Sequence, residues 1–351
     1  MNLPQLTFTR FIAAVSIVII HFGLFTWPFN TNYLAPICNK ALAAVSYFFV
    51  LSGFILVVST SKNGQLPNEI SSKKFWINRC ARILPLYLLS ITIPFLLNFH
   101  YDPSIPLRWQ IQSFIYSIFL LQSWKYRMVL DVNYPAWTLS VEAFFYFIFP
   151  WLYVQLNQCN SKKLIKVAAI AWLGNAYLFT TLLEDDVPHN FAYYFPLFHV
   201  ATFLTGIASG ILFIRHYQYL ISKSKIIWST TIVLTLFLLY ALYNNFSFFN
   251  YYHNGLLSPW FIGIIFSLAI IQGKPASLLG SKPMVFLGDI SFAIYILQVP
   301  VMEILVKYVP FFSSKEAKDT FFAYLIVLIG VSTVAYYLVE KPFRKAIKRL
   351  A

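Results

Sequence analysis

Apolar runs long enough to cross a bilayer recur from one end of this chain to the other, and this repetition limits what it can fold into. Hydrocarbon offers unpaired backbone groups no water, so a chain that threads it must form helices or a closed barrel. Spans of about 20 residues fit helices, whereas barrel strands need about 10. Ten such spans are predicted in the 351 residues, approximately over 6–27, 41–60, 82–99, 138–155, 164–183, 192–214, 226–246, 257–272, 285–307 and 320–338. The expected fold is an all-α polytopic membrane helix bundle. Segment 111–123 is apolar but too short to span and is expected to be re-entrant or interfacial. With 59% hydrophobic and 11% charged residues, against about 25% charged in soluble domains, a soluble fold is excluded. The chain reads as a single membrane-embedded domain over 1–351. No repeat, low-complexity linker or appended soluble domain is evident, and the basic loop 61–81 is too short to fold alone.

The net charge of +14 could suggest nucleic acid, but the basic residues sit in short loops between apolar runs. Placing the N-terminus inside puts 19 of the 26 lysines and arginines on the inner side, as the positive-inside rule expects. Glu184-Asp185-Asp186 then falls outside. Both termini are expected in the cytoplasm, and the protein in a bacterial cytoplasmic (inner) membrane, with lipids rather than nucleic acid as surroundings. The first run is too long for a signal-peptide core and reads as a retained helix. Cys38, Cys80 and Cys159 offer neither a plausible disulfide nor metal-ligand spacing.

Ionisable residues inside apolar spans mark functional positions. Arg10 and His21 lie eleven residues apart on the first run, which on a regular helix places both on one face, roughly 16 Å apart. Glu142 lies a few residues inside its span, in Trp137-Thr138-Leu139-Ser140-Val141-Glu142, and needs a partner. A meeting of His21 and Glu142 would fix the imidazole tautomer for a general base acting on an alcohol; the alternative is a structural bond between helices. Arg79 and Arg82, three apart, share a helix face at the inner surface. Paired guanidiniums suit a phosphate ligand, although anionic-lipid contact or plain topology would also explain them. Ser52 and Gly53 allow close approach of a helix or of a ligand. His100, His189 and His253 lie near loops and His199 within a span. Asp289 suits a helix cap or a partner for an inner arginine.

These residues, taken together, resemble the acyltransferase-3 family of bacterial membrane acyltransferases over nearly the whole chain. The resemblance is carried by Arg10 and His21, by Tyr47-Phe48-Phe49-Val50-Leu51-Ser52-Gly53-Phe54, and by Phe75-x-x-x-Arg79-x-x-Arg82-Ile83-x-Pro85-x-Tyr87. It continues through Trp137 to Glu142, Leu287-Gly288-Asp289-Ile290-Ser291-Phe292 and Glu340-Lys341-Pro342-Phe343-Arg344. The resemblance implies ten spans, a cytoplasmic acyl-CoA donor and a glycan or lipid acceptor outside. It implies a catalytic base at His21, an essential Arg10, donor arginines at Arg79 and Arg82, and Trp137 and Glu142 in the same centre. One departure stands out: where many members carry His, this chain has Gln298, which cannot act as a base.

The expected function is therefore an acetyl-CoA-dependent O-acetyltransferase acting on a surface polysaccharide, O-antigen, peptidoglycan or lipid-linked sugar. His21, Glu142 and Arg10 are the expected catalytic residues. Arg79, Arg82, Lys73, Lys74, Ser52 and Gly53 are expected at the acyl-CoA, and Trp137, Ser140, Tyr146 and Gln298 at the acceptor. No metal and no permanently bound cofactor is expected. The rivals are transfer of another acyl group, such as succinyl, and a proton-coupled transporter, for which buried Arg, His and Glu would also serve. Sequence does not give the oligomeric state.

Overall fold

The computed structural model describes residues 1, 3–99, 105–184, 187–244, 253–314 and 316–348. His100, Asp185, Asp186, Lys315 and Arg349, which entered the charge and histidine readings above, lie outside the described residues. The described residues are helical, with no strand among them beyond an isolated bridge between Lys62 and Gln65. The principal helices are α1 (Thr7–Val18, prolonged by a π-helical turn, Ile19–Gly23), α2 (Ala43–Thr60), α3 (Ser72–Phe99) and α4 (Leu107–Ile118). They continue as α5 (Trp137–Gln158), α6 (Ser161–Glu184), α7 (Val200–Arg215), α8 (Ser224–Tyr243), α9 (Ser258–Ala269) and α10 (Gly273–Leu279). Last come α11 (Lys282–Tyr308), α12 (Ala317–Ala335), a second π turn (Tyr336–Glu340) and α13 (Lys341–Lys348).

Nine helices among the described residues are long and apolar enough to cross a membrane. The eighth predicted span differs from the other nine. It is the 12-residue α9, followed by α10 at a bend of 106°. At 1.5 Å per residue α9 covers about 18 Å, short of a bilayer core of about 30 Å. Gly273, with φ of 71°, turns the chain out of the helical path between them. The count reaches ten only if that broken pair is one span. The short apolar segment is α4, a 12-residue helix. It lies against α3, with the Phe95 and Phe114 rings stacked at 4.0 Å and the Tyr87 hydroxyl donating to the Ser117 carbonyl.

Between helices in lipid there is little hydrophobic drive, so association relies on close packing. Small residues provide it here. A Cβ on Gly53 would come within 2.5 Å of the Phe203 carbonyl oxygen, and one on Gly206 within 2.2 Å of that of Val50. The backbones of α2 and α7 therefore touch. Gly288 does the same for α11 against α1, where a Cβ would meet the Thr7 carbonyl oxygen at 2.0 Å. The most enclosed helices are α2, α7 and α11, whereas α6 and α8 turn most of their surface outward. Arg10 on α1, Arg79 and Arg82 on α3, and Glu142 on α5 thus face the interior of the bundle.

Candidate active site

The helix starts of α1, α3 and α11 gather at one end of the bundle, with the last turns of α12. Just inside that end is a cavity of about 100 Å³, walled by α1, α2, α3, α5 and α11. Arg10, Arg79 and Arg82 line it, with Ser52, Thr138, Glu142, Tyr146, Ser291 and Tyr295. Three cations face one carboxylate. Glu142 is already engaged, accepting from Ser52 Oγ at 3.0 Å and from the Tyr146 hydroxyl. The Arg79 guanidinium lies over the rings of Phe75 and Tyr146, 5.6 and 6.0 Å from their centroids, and its buried Nε has no hydrogen-bond partner. Arg10 and Arg82 form no hydrogen bond or direct ion pair among the described residues. A partly desolvated group of arginines with donors to spare is chemically suited to a multiply charged anion.

His21 does not line this cavity. Eleven residues of regular helix would bring it onto the face of Arg10, but it sits in the π turn Ile19–Gly23, whose wider turn changes the angular step. Its partner is Gln298 rather than Glu142: His21 Nδ1 and Gln298 Oε1 are 2.8 Å apart. The expected His21–Glu142 pair is thus replaced, because Glu142 is held by Ser52 and Tyr146 on the far side of Tyr295. Gln298 is fully buried on α11, and its Nε2 donates to the Tyr295 carbonyl at 2.7 Å. A carbonyl only accepts, so this second bond fixes the amide orientation and directs Oε1 at His21. His21 must then carry its proton on Nδ1, leaving the Nε2 lone pair available. The imidazole ring also meets Tyr134 edge-to-face at 4.8 Å.

Tyr295 stands between the two regions. Its hydroxyl donates to the Pro135 carbonyl and lies 3.0 Å from Thr138 Oγ1, and its ring packs on Phe48. Tyr295, Thr138 and Phe48 all line the arginine cavity, and His21 does not. At about 100 Å³ the cavity holds only a few water molecules, so a pantetheine arm would have to displace side chains.

Several sequence expectations are relocated. Gly53 packs backbone-to-backbone on α7 and has no face left for a ligand. Ser140 is buried, donating to the Leu120 carbonyl and accepting from the Ser123 amide. Trp137 is not open to stack on a sugar: its ring lies among Phe49, Tyr194, His199 and His253, near-parallel to His253 at 5.8 Å. Tyr146 lines the arginine cavity, and Gln298 is bonded to His21. Lys73 and Lys74 are exposed on the first turn of α3, outside the cavity. His199 is fully buried, with its ring nitrogen Nε2 on the Tyr193 carbonyl. Sequence reasoning passed over Ser291 and Tyr295. Their spacing to Gln298, four and then three residues, was the available sign of one polar stripe on an apolar helix. Tyr134 gave no comparable sign. Among the described residues no group of His, Cys, Asp or Glu could hold a metal ion, and the three cysteines are free.

A family model described as an acyltransferase domain matches residues 3–340. The acyltransferase MdmB of Streptomyces mycarofaciens is 27% identical over 60% of this chain and 57% of its own. A putative O-acetyltransferase of Staphylococcus aureus is 25% identical over 98% of this chain and 57% of its own. The peptidoglycan O-acetyltransferase OatA of Listeria monocytogenes is 26% identical over 85% of this chain and 49% of its own. The chain thus spans about half the length of the curated relatives it matches. No solved structure matches it.

Proposed function

Since this chain belongs to the acyltransferase-3 family of membrane acyltransferases, we propose that it moves an acetyl group from cytoplasmic acetyl-CoA to a hydroxyl of a cell-envelope glycan. The observation that carries this reading is the division of the bundle into two parts. A cationic cavity lies at one end, and a histidine with a fixed tautomer and a free Nε2 is held by Gln298, one helix turn along α11 from the cavity-lining Tyr295. A donor with phosphates and a long thin arm needs such an arrangement, because its charged end can stay at the membrane surface while the thioester reaches inward.

In the proposed reaction Arg79 and Arg82 hold the phosphates, and Arg10 neutralises charge deeper in the cavity. Tyr295 and Phe48 move aside for the pantetheine arm. His21 Nε2 takes the proton of a sugar hydroxyl arriving from the opposite side of the membrane. The alkoxide oxygen bonds to the acyl carbon, the carbon–sulfur bond breaks, and the departing thiolate takes back the proton. Glu142 holds Tyr146 and Ser52 in place at the cavity wall, and Gln298 holds the imidazole. The protein acts in the bacterial cytoplasmic membrane. The name of the Listeria relative supports peptidoglycan as one candidate acceptor, beside surface polysaccharide and O-antigen.

The test compares envelope glycan from cells expressing wild type or His21→Ala at equal membrane level, scored for base-labile acetyl esters. Loss of a general base lowers turnover by about 10²–10⁴-fold, so esters should vanish in the variant. Esters unchanged in the variant would remove His21 from the chemistry. Turnover without release of free CoA would point to a carrier instead.

A further inference from the structure

A second cavity, of about 430 Å³, has no role in the reaction as written above. It lies between α1, α2, α8 and α9, and space is left there because the residues facing it from two helices are small: Ala13 and Ser16 on α1, Ala43 and Ala44 on α2. Ile12 on α1 and Leu239 on α8, 52% and 38% exposed, stand at its rim, so it opens sideways between helices. Along α1 it runs from Thr9 to Ile19, about 15 Å of helix, half of a bilayer core of about 30 Å. Its wall is almost entirely hydrocarbon. The Thr9 hydroxyl donates to the Leu6 carbonyl and accepts from Tyr47, Ser16 donates to the Ile12 carbonyl, and Trp260 Nε1 donates to Thr235. Among the described residues, Lys40 is the one charged residue that lines it. Lys40 precedes α2, at the end of the groove away from the start of α1 and the arginine cavity.

An apolar cavity whose polar groups are already paired excludes water, and one that opens into a membrane is covered by something apolar. A helix of another chain, about 10 Å across, would fill roughly 1,200 Å³ over 15 Å and does not fit; a single hydrocarbon chain does. The depth is that of one leaflet, and a positive charge stands where the headgroups of that leaflet begin. We propose that the groove binds an acidic phospholipid of the leaflet away from the arginine cavity, with one acyl chain between α1 and α9 and the phosphate at Lys40. In the orientation proposed above this is the outer leaflet. The site is independent of the transfer reaction. Bulk lipid tails are as apolar as the wall, so the chain alone gives little preference. Selectivity comes from the headgroup: the ammonium attracts a net negative one, whereas a zwitterionic headgroup brings its own cation. Ile19, the first residue of the π turn that carries His21, lines the groove, so the acyl chain also fills the space beside that turn.

The experiment places the full chain in phosphatidylcholine nanodiscs doped with phosphatidylglycerol that carries a diazirine in one acyl chain. After illumination, mass spectrometry identifies the labelled peptides. Labels should concentrate on residues 9–19 and 260–268. Unlabelled phosphatidylglycerol should displace them about fivefold better than added phosphatidylcholine, the effect of one lysine on an acidic lipid. Labels spread over α6 and α8, which turn most of their surface outward, would mean an ordinary lipid annulus and overturn the site. Lys40→Gln should remove the fivefold preference and leave the labels in place; a preserved preference overturns the assignment of the phosphate to Lys40. Ser16→Phe, which fills the groove, should clear the labels from both segments, and labels unmoved by it refute the proposal. Should neither variant fold, the wild-type map and its competition decide alone. A polyprenyl phosphate that displaced phosphatidylglycerol outright would reassign the groove to the lipid anchor of an acceptor and overturn the phospholipid reading.

Discussion

Replacing Gln298 by Leu tests whether the histidine is held as the geometry indicates. The change keeps the size of a fully buried side chain and removes the oxygen that sits 2.8 Å from His21 Nδ1. The Nδ1 proton then has no acceptor in that position, and the preference for the tautomer with a free Nε2 is lost. Leaving a buried neutral donor unpaired costs about 1–3 kcal/mol. At 1.4 kcal/mol per factor of ten, the fraction of imidazole ready to act falls about 5- to 150-fold. In a transfer assay on purified protein in nanodiscs, kcat should fall by that factor. KM for acetyl-CoA should stay unchanged, because the arginine cavity lies beyond Tyr295 and Gln298 does not line it. Gln298→Glu keeps an acceptor oxygen beside Nδ1 but loses the donor to the Tyr295 carbonyl, so its kcat should fall less than that of the Leu variant. An undiminished kcat in Gln298→Leu would refute the tautomer argument. Equal losses in the Leu and Glu variants would show that the position matters for packing rather than for hydrogen-bond acceptance.

Two further outcomes follow from packing and burial. Gly206→Val forces a side chain to within 2.2 Å of the Val50 carbonyl oxygen, where backbone cannot yield locally; overpacking of this kind costs about 1–3 kcal/mol, and the melting temperature in detergent should drop by several degrees. An unchanged melting temperature would mean that α2 and α7 are not in backbone contact. His253, in the connection between α8 and α9, is pushed down to about 4 by burial, from about 6.5 in an unfolded chain. Its native state excludes a proton that the unfolded chain binds, so its contribution is complete above about pH 6.5 and is lost as pH falls toward 4, by up to about 3 kcal/mol. Melting temperatures between pH 7 and pH 5 should fall more steeply in wild type than in His253→Gln, and parallel curves would contradict the burial argument.

The sequence by itself determined the solvent. Apolar runs of helical length leave the backbone no alternative to helices in hydrocarbon, and nine of the ten predicted spans stand as membrane-length helices. It also placed Arg79 and Arg82 on one helix face, because a three-residue spacing survives in any regular helix, and both line the same cavity. Side-chain pairing between helices was not legible. His21 and Glu142 each needed a partner, and both lay at compatible depths in hydrocarbon, so spacing alone joined them. The π turn at Ile19–Gly23 and the hydroxyls of Ser52 and Tyr146 separated them, since angular position over eleven residues depends on every intervening turn. Trp137, Ser140 and Gly53 were read as ligand contacts because aromatic, hydroxyl and small residues serve ligands and helix packing alike. Only the tertiary structure, by filling one side of each helix with another helix, decided which of these residues keep a face for chemistry.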